Sequence, residues 1–348
     1  MPGILEVLLE HQYIFQTLIT SGIIGLTVLG LIGLFSVKQA ALKACFFLLP
    51  LVLPFLLPAV FFFTDLSHTQ SQALNHLEAA PLDGLYSLLA SLLDHRDLSF
   101  MLDIFLSICF LPVVVASGKL TLRYWACRRI LRRCRRLNAA EEERLRPLLD
   151  ELRWSLNIKN PRCLVTPDPH PQAFVFGVLA PVIGLSRGAL EKLPDHDLRT
   201  AILHEAAHIV RRDTLIIWLA LFLKDLMFYN PIAHYFFNRL VIEKEKACDQ
   251  LVADITRQPA AYARNLLNIY KTATKAKAPE FSYHGAQPLL LSSGYALEDR
   301  IRFLVSYSVN PRGLHHRDYL LAGGMAIFSL VTIFLSTFLP VFFITGHC

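Results

Sequence analysis

Four stretches of this sequence have the length and apolarity of bilayer-crossing helices, and nothing else in it narrows the fold so much. A spanning helix needs about 20 predominantly apolar residues. Residues 13–37, 44–64 and 319–346 hold no charged side chain, and residues 98–118 hold only Asp103. A hydrophobic content of 54% and a mean hydropathy of +0.43 suit a membrane protein better than a pair of soluble domains. The first window does not read as a signal peptide, because Glu6 and Glu10 precede it with no Lys or Arg.

Basic residues are retained on the cytoplasmic side of short flanking loops, so their distribution gives an orientation. Lys38 and Lys43 lie between the first two windows, and eight basic residues without an acid run from Lys119 to Arg136. Residues 65–97 instead hold five acids against one Arg. The expected topology has both termini outside: a membrane domain over 1–118 with an outer loop at 65–97, a cytoplasmic domain over 119–318, and a last span at 319–346. The run "RYWACRRILRRCRR" beside a span reads as an anchor for anionic lipid, making the bilayer a partner, rather than as a nucleic-acid site. Seven cysteines without a CxxC pair, none of them in the outer loop, argue against a disulfide framework.

Within 119–318, "LNAAEEERLRPLLDELRWSL" reads as a helix beginning near Asn138, with acids at its start and apolar residues at helical spacing. Three strand-like pieces follow, "RCLVTP", "QAFVFG" and "PVIGLS", separated by Pro, Asp and Gly. Further helices are expected over "SRGALEKL", over "PDHDLRTAILHEAAHIVRRD" with Asp195 as its cap, through "VIEKEKACDQLVAD", and over residues 259–275 and 295–306. The apolar stretch 214–237 carries Lys224 and Asp225 and is broken by Pro231, so it reads as a helix and turn rather than a span.

The chemistry concentrates in "HEAAHIVRRD", residues 204–213. Residues four apart share a helix face, so His204 and His208 can turn both imidazoles to one ion, with Glu205 beside it. Zinc held by two imidazoles and a third protein ligand keeps a position for water, and a neighbouring carboxylate can take that water's proton as it attacks a carbonyl. Chance yields roughly 0.02 such matches in a chain of this composition. Glu245, in "EKEKACDQ", supplies the third ligand, with Glu243 as its competitor; Asp249, one turn after Glu245, is placed to accept the second N–H of a ligand histidine, His204. His234, Tyr235 and Arg300 are candidates for stabilising an oxyanion or touching substrate, and residues Gln172, Ala173, Phe174, Val175, Phe176 and Gly177 for pairing with an extended peptide. Asp213, just past the motif, is expected to pair with a neighbouring Arg or to cap a terminus.

"HEAAHIVRRD" followed by "FYNP" and "EKEKACD" resembles the antibiotic-sensing membrane metalloproteases that act as beta-lactam receptors in inducible resistance. "AFVFGVLAPVIGLS" upstream and "LEDRI" downstream fit the same likeness, which covers roughly residues 1–320. It implies one Zn2+ held by His204, His208 and Glu245, Glu205 as catalytic base and Asp249 behind the ligands. The implied fold is an α-helical polytopic membrane protein with four spans and a cytoplasmic α+β gluzincin domain, in a bacterial cytoplasmic membrane. Those receptors carry an extracellular penicillin-binding domain after the last span, whereas this sequence stops two residues after Gly346. The resemblance therefore implies a protease without that sensor, its trigger acting through the outer loop, the spans or a sensor partner.

Three function classes follow. The first is a membrane zinc endopeptidase cutting a cytosolic or membrane-proximal protein such as a transcriptional repressor, with housekeeping proteolysis as its alternative. The second, a non-catalytic protease-like scaffold, is disfavoured because ligands, base and supporting acid are all present. A transporter is disfavoured because Asp103 is the one charged residue inside a span. His68, His76 and His95 in the outer loop have no metal-ligand spacing.

Overall fold

The computed structural model describes residues 12–35, 37–55, 96–158, 162–177, 180–275 and 294–309, together with Gly324. Three helices come first: α1 (Gln12–Leu34), α2 (residues 40–55) and α3 (Arg96–Arg133). The two-residue strand β1 (Arg135–Arg136) follows, then α4 (Ala139–Leu156). Helix α4 starts where Asn138 Oδ1 accepts from the Glu141 amide at 2.8 Å and the Glu141 carboxylate accepts from the Asn138 amide at 2.9 Å. This reciprocal pair satisfies two helix-end donors. It ends on Asn157, left-handed at φ 52°.

The three strand-like pieces form β2 (Cys163–Thr166), β3 (Ala173–Phe176) and β4 (Val182–Ser186). With β1 they make a sheet of order β1-β2-β4-β3, in which β2 and β4 run parallel and the outer pairs antiparallel. Gly184 lies across from Phe174, and a Cβ there would meet the Phe174 ring at 2.0 Å. The aromatic ring thus occupies the place of a side chain on the middle strand. Beyond β3 the chain turns at Gly177, whose φ of +85° suits glycine.

Ser186 closes the sheet and opens α5 (Arg187–Lys192), its Oγ accepting from the Ala189 amide at 2.9 Å. Next come α6 (Asp195–Val210), α7 (Asp213–Leu226), α8 (Pro231–Thr256), α9 (Pro259–Lys275) and α10 (Gly294–Val309). Asp195 does not cap α6: Pro194 occupies that position, and the Asp195 carboxylate is taken by Arg144 at 2.6 Å. Asn230 does cap α8, with Pro231 in the first turn, where its missing N–H costs nothing.

Among the described residues, two hydrophobic cores result. One joins α4, the sheet, α6, the C-terminal half of α8, α9 and α10 around Ile183, Leu185, Ile202 and Leu304. The other joins α1, α2, α7 and the N-terminal half of α8 around Val28, Phe47, Leu51, Met227 and Leu240. Helix α8 passes through both.

The second core accounts for a correction. Four spanning helices are not found: among the described residues, no helix is long and apolar enough to cross a membrane. Apolar side chains from the first two windows, including Ile24, Val28, Phe46 and Leu51, are instead spent packing against α7 and α8. Polar groups join the same contact, with Thr17 bonded to the Tyr229 hydroxyl at 2.8 Å and Asn230 Nδ2 donating to Ser21 Oγ at 2.7 Å. The third window is part of α3, which opens on Arg96 and Asp97 and runs on into the arginine-rich segment. The fourth window, apart from Gly324, and residues 56–95 lie outside the described residues.

Candidate metal centre

Helix α6 carries His204 and His208 one turn apart, and α8 crosses it to bring Glu245 to both. His204 Nε2 lies 3.2 Å from Glu245 Oε2, and His208 Nε2 lies 3.3 Å from Glu245 Oε1. The imidazole and carboxylate atoms of the three residues fall within 4.8 Å of one another. Zinc–ligand distances of about 2.0–2.2 Å in tetrahedral geometry place neighbouring ligand atoms about 3.3 Å apart, and both separations are compatible with ligands sharing one ion.

The imidazole tautomers support the same conclusion. His204 Nδ1 is 3.2 Å from Asp249 Oδ1 and 3.0 Å from the Tyr262 hydroxyl. That hydroxyl donates to Asp249 at 2.7 Å, so it accepts from His204 Nδ1–H. His208 Nδ1 is 3.1 Å from Asp213 Oδ2. A histidine that donates from Nδ1 presents a lone pair at Nε2. Glu245 Oε2 accepts from Arg300, but Glu245 Oε1, which faces His208 Nε2, is buried with no hydrogen-bond partner. A cation would satisfy that oxygen, and two imidazoles with one carboxylate are a donor set that fits a zinc ion.

Around the cluster, Arg300 from α10 is buried at 2% exposure. It grips Asp249 with Nε to Oδ2 and Nη2 to Oδ1, each at 2.7 Å, and reaches Glu245 Oε2 with Nη1 at 2.9 Å. Burial would raise the Asp249 carboxyl, yet the Arg300 guanidinium and the His204 hydrogen bond hold it down to about 2. Glu245 is likewise held well below the usual carboxylate range against its burial, by Arg300 and the two histidines. Burial disfavours protonated imidazole, but the acceptors on His204 and His208 outweigh it and push both upward. The pocket therefore favours positive charge. Glu205 is buried beside the ligands, and loss of hydration raises its carboxyl above the ordinary value.

Other residues singled out in the sequence fall elsewhere. His234 Nε2 donates to the Phe228 carbonyl at 3.1 Å, and Tyr235 is exposed with Arg239 over its ring at 5.9 Å. Both lie ten or more residues before Glu245 on α8, about 15 Å along the axis, and are not brought to the cluster. Arg300 is brought there, with its donors on Asp249 and Glu245. Glu243 bonds Lys246 at 3.1 Å. Strand β3 forms a sheet edge and packs against α6, its four side chains buried. Sequence reasoning missed Tyr262 and the full company of Asp213, whose carboxylate meets Lys244, Arg211 and Cys248 as well as His208. Asp213 stood in view five residues after His208; Tyr262 and Lys244 gave no local signal.

Comparison with known proteins agrees with this geometry. The chain is 30% identical over 110 residues to a protease HtpX homolog of Salinibacter ruber (strain DSM 13855 / M31), a match taking in 30% of this chain and 40% of that protein. The chain thus spans about two-fifths of the length of that relative. The family model described as BlaR1 peptidase M56 matches residues 12–304. With that match running from α1 into α10 and taking in every residue of the cluster, the chain belongs to the BlaR1 peptidase M56 family.

Proposed function

We propose that this chain is a zinc-dependent endopeptidase that hydrolyses peptide bonds of a cytosolic or membrane-proximal protein. The observation that carries this reading is the convergence of two imidazole Nε2 atoms on one buried carboxylate, each imidazole held from behind by a second carboxylate. Zinc on His204, His208 and Glu245 would supply a water of pKa about 7 and polarise the carbonyl under attack. Glu205, adjacent to His204, takes the proton of the attacking water and returns it to the departing amide nitrogen. Its raised pKa suits both halves of that transfer. Asp249 and Tyr262 fix the His204 ring, and Arg300 fixes Asp249 and Glu245.

Substrate would lie as an extended segment along the edge strand β3, backbone to backbone, a mode that asks little of sequence. The position of β3 at the sheet edge and against the ligand helix favours this. A regulatory protein such as a transcriptional repressor is the substrate class we propose.

The test compares new protein N-termini in host cells producing wild type or Glu205→Gln at equal levels. Cleavages present only with wild type, alongside zinc bound in both proteins, are the expected result. Identical profiles, or cell function unchanged by Glu205→Gln, would favour a non-catalytic scaffold instead.

A further inference from the structure

Helix α8 sends two parallel rows of side chains toward α6. Glu245 and Asp249, one turn apart, serve the zinc cluster and His204. Lys244 and Cys248, also one turn apart and each one residue earlier, meet on a different carboxylate, that of Asp213. Asp213 is the first residue of α7, brought back against α6 because the chain reverses through Arg212 in the left-handed region at φ 53°. Its Oδ2 accepts from His208 Nδ1 at 3.1 Å, from Arg211 Nε at 3.2 Å and from Cys248 Sγ at 3.1 Å, while Lys244 Nζ donates to Oδ1. Asp213, Lys244 and Cys248 are all buried.

We propose, resting on the zinc reading of the cluster, that Asp213 is the positioning residue of the second ligand histidine. It stands to His208 as Asp249 stands to His204. The donors behind it explain why it is held rather than swung away: a buried ammonium neutralises one oxygen, and a thiol and a guanidinium share the other. Asp213 thereby fixes the His208 tautomer and aims Nε2 at the ion. Lys244 acts one step further back, on Asp213 and not on the imidazole. Partners of this kind are worth about 10- to 100-fold in metal affinity.

The experiment measures zinc affinity of the full chain by competition with a chromophoric chelator, together with thermal stability. Asp213→Ala is expected to weaken zinc binding about 10- to 100-fold, on the scale of Asp249→Ala. Asp213→Asn, whose amide oxygen can still accept, should fall between Asp213→Ala and wild type. Because Asp213→Ala leaves Lys244 buried without its carboxylate and can fail to fold, the deciding variant is Asp213→Ala with Lys244→Met. The proposal requires that this double variant recover thermal stability while zinc binding stays weak. Recovery of both would show that Asp213 serves only to neutralise Lys244, and would overturn it, as would unchanged affinity in Asp213→Ala. A wild-type chain that binds no zinc would instead overturn the zinc reading itself, and the proposal with it.

Discussion

Arg300 shows how single residues sustain the site. One guanidinium faces two buried carboxylates, Asp249 and Glu245, and Tyr262 closes the same network through one hydroxyl. Removing one partner of a buried ionic network leaves uncompensated charge, which typically costs about 3–5 kcal/mol. Arg300→Met should therefore destabilise the zinc-free protein by that amount in urea unfolding, whereas Tyr262→Phe should cost about 1 kcal/mol. Equal effects of the two changes would contradict the central place given to Arg300. The cluster of His204, His208 and Glu245 is legible in the sequence, because metal-binding chemistry dictates residue types and the helix dictates their spacing. Arg300 stands 51 residues from Asp249, and its role depends on α10 packing against α8, which no local pattern encodes. Of the three residues offered as oxyanion or substrate contacts, the fold brings Arg300 to the cluster, while His234 and Tyr235 lie about 15 Å away along α8.

Among the elements, the start of α4 near Asn138 is legible in the sequence, whereas Asn230 and Pro231, which read as a helix break, open α8. The Asn138 capping box and the Asn230-Pro231 start are chemical instructions of short range, and both helices begin there. Asn138→Ala is expected to lower stability by about 1 kcal/mol, read as a shift in the denaturation midpoint. Gly184 makes a sharper test of the sheet. Alanine at 184 would thrust its Cβ into the Phe174 ring, and overpacking of this kind costs about 1–3 kcal/mol. The same change should loosen β3 and raise amide exchange across Ala173–Phe176; unaltered exchange there would count against the pairing of Phe174 with Gly184. Strand β1 escaped notice because two arginines in a basic run look like solvated surface, and they pair with β2 only through their backbones. Asp195, expected as a cap, is displaced from that role because Pro194 takes the capping position one residue earlier.

For the whole molecule, α8 ties two cores together, and Glu245 lies near where one gives way to the other. An apolar run of about 20 residues reads as a span by its length alone, whereas described side chains of the first two windows fill the second core. The core around the sheet, with its strands and amphipathic helices, is more legible, since alternating and 3.6-residue periods separate the faces. A metal bound to the folded chain alone stabilises it by mass action, so a chelator should lower the melting temperature and added zinc restore it, with Glu245→Ala insensitive to both. The most direct test of the account is the metal content of purified wild type and Glu245→Ala. About one zinc per chain in the wild type, lost in the variant, is the result predicted; a wild type without zinc, or equal zinc in both proteins, would contradict it.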